Sequence, residues 1–202
     1  MPQFLRYEIL NDLYVRIHRR LWRFLFASNF KKFGKHSHIT FPLLLQNTKY
    51  IEIGDYVGIA KQAWLGANFV DDHTPSLIID DGTRIGNYNH IVAVSEVYIG
   101  KHVLIADKVF ISDSLHSYED ITQPISHQPL YFKGAVHIGN STWVGECVSI
   151  IGAKIGKHCV IGANSVVTKD IPDYCVAVGS PARVIKTYDS DKREWVSVPK
   201  NR

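Results

Sequence analysis

The sequence predicts an all-β solenoid of short parallel strands, preceded by an amphipathic helix and broken once by a long loop. Three observations lead there. Aliphatic residues followed by Gly, Ala, Ser or Asp recur every six positions from residue 53 onward. A basic, apolar N-terminal stretch has helical rather than six-residue spacing. The six-residue rhythm stops for one long segment and then resumes.

The N-terminal segment, residues 1–35, carries apolar residues at Phe4, Leu5, Ile9, Leu13, Ile17, Leu21 and Leu25, the spacing of one face of a helix. Gly34 is expected to end it. Residues 1–38 hold eight basic and two acidic side chains, so the basic character of the chain, net +4, resides there. Two readings stay open. The stripe packs on the main domain or on a partner subunit. Alternatively, the arginines beside Trp22, Phe24 and Phe26 lay the helix on an anionic membrane surface.

Residues 36–186 form the solenoid. Its steps are Ile53, Ile59, Leu65; Ile79, Ile85, Ile91; Ile99, Ile105, Ile111; Ile138, Val144, Ile150; Ile155, Ile161, Val167. A period of six is neither helical nor that of a long alternating strand; it suits a short strand followed by a corner. Three sides close a coil of about 18 residues, and stacked coils bury their aliphatic residues in a central ladder. The positions four beyond an aliphatic residue (Val57, Val103, Val109, Thr142, Val148, Cys159, Ser165) are small or branched and read as interior corner residues. The chain holds enough steps for about five or six coils. From Ile150 to Ile155 the step is five, which requires a tighter turn.

Between Ile111 and Val136 the rhythm gives way to the inserted loop 113–135, and a single insertion in a repeat array commonly marks a binding face. Residues 187–202 read as a C-terminal tail.

Composition narrows the function. At 202 residues, 46% hydrophobic and 21% charged, the chain has one sizeable core. Cys147, Cys159 and Cys175 form no CxxC pair, which fits a reducing compartment. No signal-peptide pattern or membrane-length apolar run is present, so a cytoplasmic location is expected. Residues 39–202 offer no basic cluster with stacking aromatics, against a nucleic-acid partner.

The rhythm, the Asp113-Ser-Leu-His116 loop, the Ile138-Gly-Asn-Ser-Thr-Trp143-Val-Gly145 segment and the ending from Ile161 through Thr168-Lys169-Asp170-Ile-Pro172 to Ser180-Pro181-Ala-Arg183 resemble the hexapeptide-repeat acetyltransferases. This group includes galactoside, maltose and xenobiotic acetyltransferases and the O-acetyltransferases of bacterial surface polysaccharides. The resemblance covers about residues 36–186. It implies a left-handed parallel β-helix, against the usual right-handed crossover. It also implies a homotrimer with its active sites in clefts between subunits, acetyl-CoA as co-substrate and no metal.

Transfer of an acetyl group from a thioester to an alcohol needs a base, and histidine titrates near working pH. The resemblance assigns that role to His116, and an active-site place to Asn87, whose residue type is also ordinary at coil corners. His127, in the same loop, reads as solvated. No Cys–His or Ser–His nucleophile pattern is recognisable, so transfer is expected to be direct. The oxyanion donor is expected near Gly145. Trp143 matches a tryptophan of the acceptor and CoA cleft, or packs a corner. For CoA, the resemblance points to Ala163 beside the pantetheine arm, Thr168 and Lys169, Arg183 near the phosphates, and Lys186. Glu146 stands at an aligned CoA contact where the galactoside enzymes have serine.

The expected acceptor is a hydroxyl of a bacterial glycan or of its lipid-linked precursor, at the inner membrane face. A small diffusible acceptor (galactoside, amino sugar or drug) is the alternative. A γ-class carbonic anhydrase on the same scaffold needs a His-x4-His pair. No two of the ten histidines are five positions apart. A non-catalytic scaffold subunit would tolerate loss of His116 and the CoA-like ending.

Overall fold

The computed structural model describes residues 2–199, with side chains from residue 6 onward. The expected helix positions Phe4 and Leu5 therefore lie outside the described side chains, and tail residues 200–202 outside the described backbone.

From Lys32 to Val167, apart from one inserted hairpin, successive strands fall to three sheets in rotation, which is the topology of a three-faced parallel solenoid. Face I runs from Lys32–Phe33 through Ile51–Ile53, Ser76–Ile79, Glu96–Ile99 and Val136–Ile138 to Lys154–Ile155. Face II begins with His38–Ile39, Gly58–Ile59, Arg84–Ile85, Leu104–Ile105, Trp143–Val144, Val160–Ile161 and Cys175–Val178. Face III holds Leu44–Gln46, Trp64–Ala67, His90–Ala93, Phe110–Ser112, Ser149–Ile151 and Val166–Val167. With six strands in each of faces I and III, the chain completes six coils.

The interior is the aliphatic ladder the rhythm calls for. Ile53, Ile79, Ile99 and Ile138 on face I, Ile59 and Ile161 on face II, and Leu65, Ile91, Ile111 and Ile150 on face III are all 0% exposed. Each is covered by the identical position one coil above and below, so apolar burial recurs per coil. The small corner residues point inward too: Val57, Val148 and Ser165 are fully buried and Val103, Val109, Thr142 and Cys159 nearly so. Where such a residue bears a hydroxyl, it bridges coils. Thr142 Oγ1 donates to the Gly156 carbonyl (2.8 Å) and accepts from the Cys159 N–H (3.1 Å).

Corners place residues such as Tyr56, His102, Ser141, His158 and Tyr174, and Gln62, Tyr88, Lys108, Cys147 and Asn164, at φ between 54° and 60°. Non-glycine residues rarely adopt this region, and stacking against neighbouring coils holds them there. The short step after Ile150 turns through Gly152 at φ +53°. Its N–H donates to the Ser112 carbonyl (3.0 Å), and a Cβ there would strike the Lys133 side chain. This glycine seats the base of the insertion.

Helix α1 (Pro2–Phe26) and a 3₁₀ turn (Ala27–Asn29) precede the coils. The helix ends eight residues before Gly34, contrary to expectation. Gly34 already belongs to the first coil, with its N–H on the Ile53 carbonyl (2.8 Å). The helix docks through Trp22, buried among Phe30 and Phe33, and through arginines. Arg23 donates to the Gly34 (2.7 Å) and Ser37 (3.2 Å) carbonyls, and Arg19 Nε to Thr40 Oγ1 (2.8 Å). The stripe read from the sequence faces outward instead: Ile9, Leu13, Ile17, Leu21 and Leu25 are each about half exposed. Of the described residues, no helix is long and apolar enough to cross a membrane.

The segment expected as a tail continues face II. Arg183–Asp189 pairs antiparallel with Cys175–Val178, and Glu194–Ser197 pairs antiparallel with Arg183–Asp189.

Candidate active site

The insertion starts at Asp113, 0% exposed. Its Oδ1 accepts the Val94 N–H (2.8 Å), and its Oδ2 accepts those of Ser95 (2.8 Å) and Glu96 (2.7 Å). Its own carbonyl accepts the Lys133 N–H at 2.7 Å. One residue thus ties the insertion down twice, its carboxylate holding the face III–face I corner and its backbone carbonyl the returning strand. Charge-assisted bonds to three backbone donors are what make a buried carboxylate tolerable.

Out of this anchor rises an antiparallel hairpin, Ser114–His116 with Leu130–Phe132, with His116 opposite Leu130. The expected loop is therefore part strand. Beyond it, residues 119–127 are all exposed, His127 included, while buried Gln128 closes the tip by donating to the Asp120 carbonyl (2.8 Å). His116 is exposed at the end of its strand. It borders a cavity of about 300 Å³ floored by face III and walled by Ser112, Ser114, Leu115 and Leu130.

The floor is a ladder of rings. Trp64, His90 and Phe110 are register partners on adjacent strands. His90 stacks on Trp64 with centroids 3.9 Å apart and meets Phe110 edge-on at 5.2 Å. Trp64 Nε1 is held by Gln46 Oε1 at 2.9 Å. His90 Nε2 is buried without a hydrogen-bond partner, and burial lowers the pKa of the ring. A neutral imidazole thus lines the cavity that His116 borders. His90 was not singled out from the sequence; the signal was there only as an aromatic rung on the outer side of face III, visible once strands are in register.

The remaining sequence candidates fall elsewhere. Asn87, Glu146 and Ala163 occupy equivalent positions of the face II–face III corner in different coils. Asn87 is absorbed by that corner: its Nδ2 donates to the Asp107 carboxylate (3.1 Å) and its Oδ1 accepts the Lys61 N–H (3.2 Å). It does not line the His116 cavity. Gly145 donates its N–H to the Ile161 carbonyl at 2.8 Å, so within one chain this amide is engaged in the coil rather than offered to an oxyanion. Glu146 pairs with Lys108 at 3.2 Å, and Ala163 is exposed against Gly145.

Trp143 and Lys186 do come together. They line a second cavity of about 420 Å³ on face II with Ser141, His158, Val160 and Trp195. Trp143 is 50% exposed, more than a residue that merely packs a corner. Arg183 lies at the start of the antiparallel return, its guanidinium on the Ala182 carbonyl (2.9 Å). Thr168 and Lys169 are exposed beyond the last face III strand. Among the described residues, no group of three or more His, Cys, Asp or Glu is arranged to hold a metal ion.

No family model matches the chain. Over 168 residues it is 33% identical to a protein named as a lipopolysaccharide biosynthesis O-acetyl transferase, WbbJ of Escherichia coli K12, spanning 78% of this chain and 82% of that one. The chain belongs to the hexapeptide-repeat acetyltransferase family. It is also 41% identical over 154 residues to a protein of Mycobacterium tuberculosis named as an acetyltransferase, a match that spans 76% of this chain and 48%, about half, of that relative. Among solved structures, the N-acyltransferase AntD of Bacillus cereus, in complex with dTDP and 3-hydroxybutyryl-CoA, shares the fold. Its TM-score is 0.68 at 20% identity, over 83% of this chain and 88% of that one.

Proposed function

We propose that the chain transfers an acetyl group from acetyl-CoA to a hydroxyl of a bacterial surface glycan or its lipid-linked precursor, with His116 as general base. The observation that carries this reading is the placement of His116: the insertion presents it at the mouth of a cavity whose floor is stacked rings. An apolar aromatic floor suits the C–H groups of a saccharide ring, and the open imidazole stands where a hydroxyl would enter. His116 takes the hydroxyl proton as the oxygen attacks the thioester carbon. The new C–O bond forms, the C–S bond breaks, and the proton passes to the departing CoA sulfur.

Trp143 and Lys186 are proposed to receive the donor, with Arg183, Thr168, Lys169 and Ala163 along its arm; the exposed cations suit its phosphates. In one chain Trp143, Lys186 and Arg183 lie on face II, whereas His116 stands over face III. That separation supports a homotrimer in which face II of one subunit meets the hairpin of the next, and the oxyanion donor then comes from an amide other than Gly145. The family resemblance supports a left-handed winding. The outward apolar stripe of α1, flanked by Arg16 and Arg20, suits either the trimer or an anionic membrane at the cytoplasmic face.

The test is acetyl-CoA consumption over a panel of glycans, amino sugars and small alcohols. His116→Ala is expected to lower kcat by about a hundredfold to ten-thousandfold, with its melting temperature unchanged and the acetylated product lost. Retained turnover in His116→Ala refutes the assignment of the base; preference for amines over sugar hydroxyls refutes O-transfer.

A further inference from the structure

A third cavity, of about 340 Å³, lies on face II against helix α1, on the first four coils. Arg19 reaches it from the helix; His38, Gly58, Arg84 and Leu104 line it from four successive strands of face II, with Asp107 at its rim. A Cβ placed on Gly58 would meet Arg84 Cδ, Arg84 Nη1 and His38 Cε1 each at 3.3 Å. The guanidinium and the imidazole therefore meet over bare backbone, and the cavity is open because position 58 has no side chain.

Its charges are unbalanced. No carboxylate pairs with Arg19 or Arg84 among the described residues. Two acidic groups lie nearby: Asp107, hydrogen-bonded by Asn87, is the one carboxylate at the rim, and Asp12 is ion-paired with Arg16. Burial, then the fields of Arg19 and Arg84, push the His38 imidazole down to about 4. Arg19 is itself lowered, chiefly by burial; Asp12 opposes that shift and Arg84 adds to it. Two partly desolvated guanidiniums against the single carboxylate at the rim leave the cavity with an excess of positive charge, and an oxyanion between them offsets it. Guanidinium forks suit phosphate and carboxylate alike, and the neutral imidazole adds one N–H donor.

We propose that this cavity is an anion subsite for a phosphate or carboxylate carried by the saccharide acceptor. The anion site stands on the cavity alone; its assignment to the acceptor rests on the acetyl-transfer reading above. The donor's phosphates are not its natural occupant. Along face II, Arg84 is separated from the Arg183–Asp189 strand by the strands at Leu104, Trp143, Val160 and Cys175. Five strand steps amount to about 24 Å, so the proposed donor cations and this cavity lie at opposite ends of the face.

The experiment has two arms. In the first, the full-length chain is titrated calorimetrically with inorganic pyrophosphate, with chloride as the control anion. The native chain is expected to bind pyrophosphate, and Arg84→Gln and Arg19→Gln each to weaken binding about tenfold or more, with Arg84→Lys intermediate and circular dichroism unaltered. No binding by the native chain overturns the site. In the second arm, kcat/KM is compared for a neutral hexose, its 1-phosphate and its uronate. Arg84→Gln is expected to reduce the preference for the charged over the neutral acceptor about tenfold, and which charged sugar loses more tells phosphate from carboxylate. An equal loss for neutral and charged acceptors, or a matching rise in KM for acetyl-CoA, overturns the assignment to the acceptor. Should no acceptor be acetylated at all, the enzymatic reading fails while the pyrophosphate arm still decides the site.

Discussion

The six coils and the 113–135 insertion are built on opposite principles. In the coils each residue is fixed by its equivalents above and below: Ile99 sits between Ile79 and Ile138 in register, and the same contact recurs down every face. Positioning there is distributed. In the insertion it is concentrated: the hairpin carrying His116 is tied to the body through Asp113 and the Gly152 turn, and its outer residues are exposed. The coils thus supply a rigid floor, and the insertion a local device that can fail without the coils failing.

Breaking the anchor should show the largest effect. Asp113→Ala leaves three backbone N–H groups of the corner without acceptors, a cost of about 3 kcal/mol. We expect it to reduce kcat/KM about a hundredfold or more, with hydrogen exchange accelerated at residues 114–132 and on the 94–96 corner but not in the Ile53–Ile79 coils. Uniform acceleration throughout would show that anchor and coils are one unit. The coil-side counterpart is Ile138→Ala, which also costs about 3 kcal/mol, by creating a cavity. It should lower the melting temperature by about 6–12 °C while kcat at 25 °C stays within about twofold, measured by calorimetry and steady-state turnover. The smallest effect is a pH dependence from His38. Its folded-state pKa, about 4, lies below that of the unfolded chain. Between about pH 6.5 and 4 the unfolded chain therefore binds more protons, so stability falls as pH drops through that window. His38→Gln should flatten the acid limb of the melting-temperature profile there; an unchanged limb would mean that other groups govern it.

Much of this was legible in the sequence because a solenoid writes its tertiary contacts as local periodicity. The aliphatic ladder, the inward corner residues Val57, Thr142 and Cys159, and the break that holds His116 follow from spacing alone. What was not legible depends on strand register or on packing between remote segments. His90 joins the His116 cavity only because it is paired between Trp64 and Phe110, 26 and 20 residues away in sequence. Asp113 looked like one more loop residue; its function is set by N–H groups near residue 95. The helix misled in a different way. Periodicity identified its apolar stripe, but Trp22, Arg19 and Arg23 determine which face docks, and Gly34 proved to be coil rather than cap. Asn87 matched a family position, and in one chain its amide bonds Asp107 and the Lys61 N–H at the corner.

The antiparallel return at Arg183–Asp189 bears on something outside catalysis. A parallel solenoid has no inherent last turn, since the end of each coil is a template for the next, from the same chain or from another copy. Face II does not end on such a template: Arg183–Asp189 reverses strand direction, and the Glu194–Ser197 strand beyond it, back in the coil direction, is short, largely exposed and carries a charge. The hairpin therefore acts as a stop, setting the length of the rod and hindering end-to-end growth into a fibre.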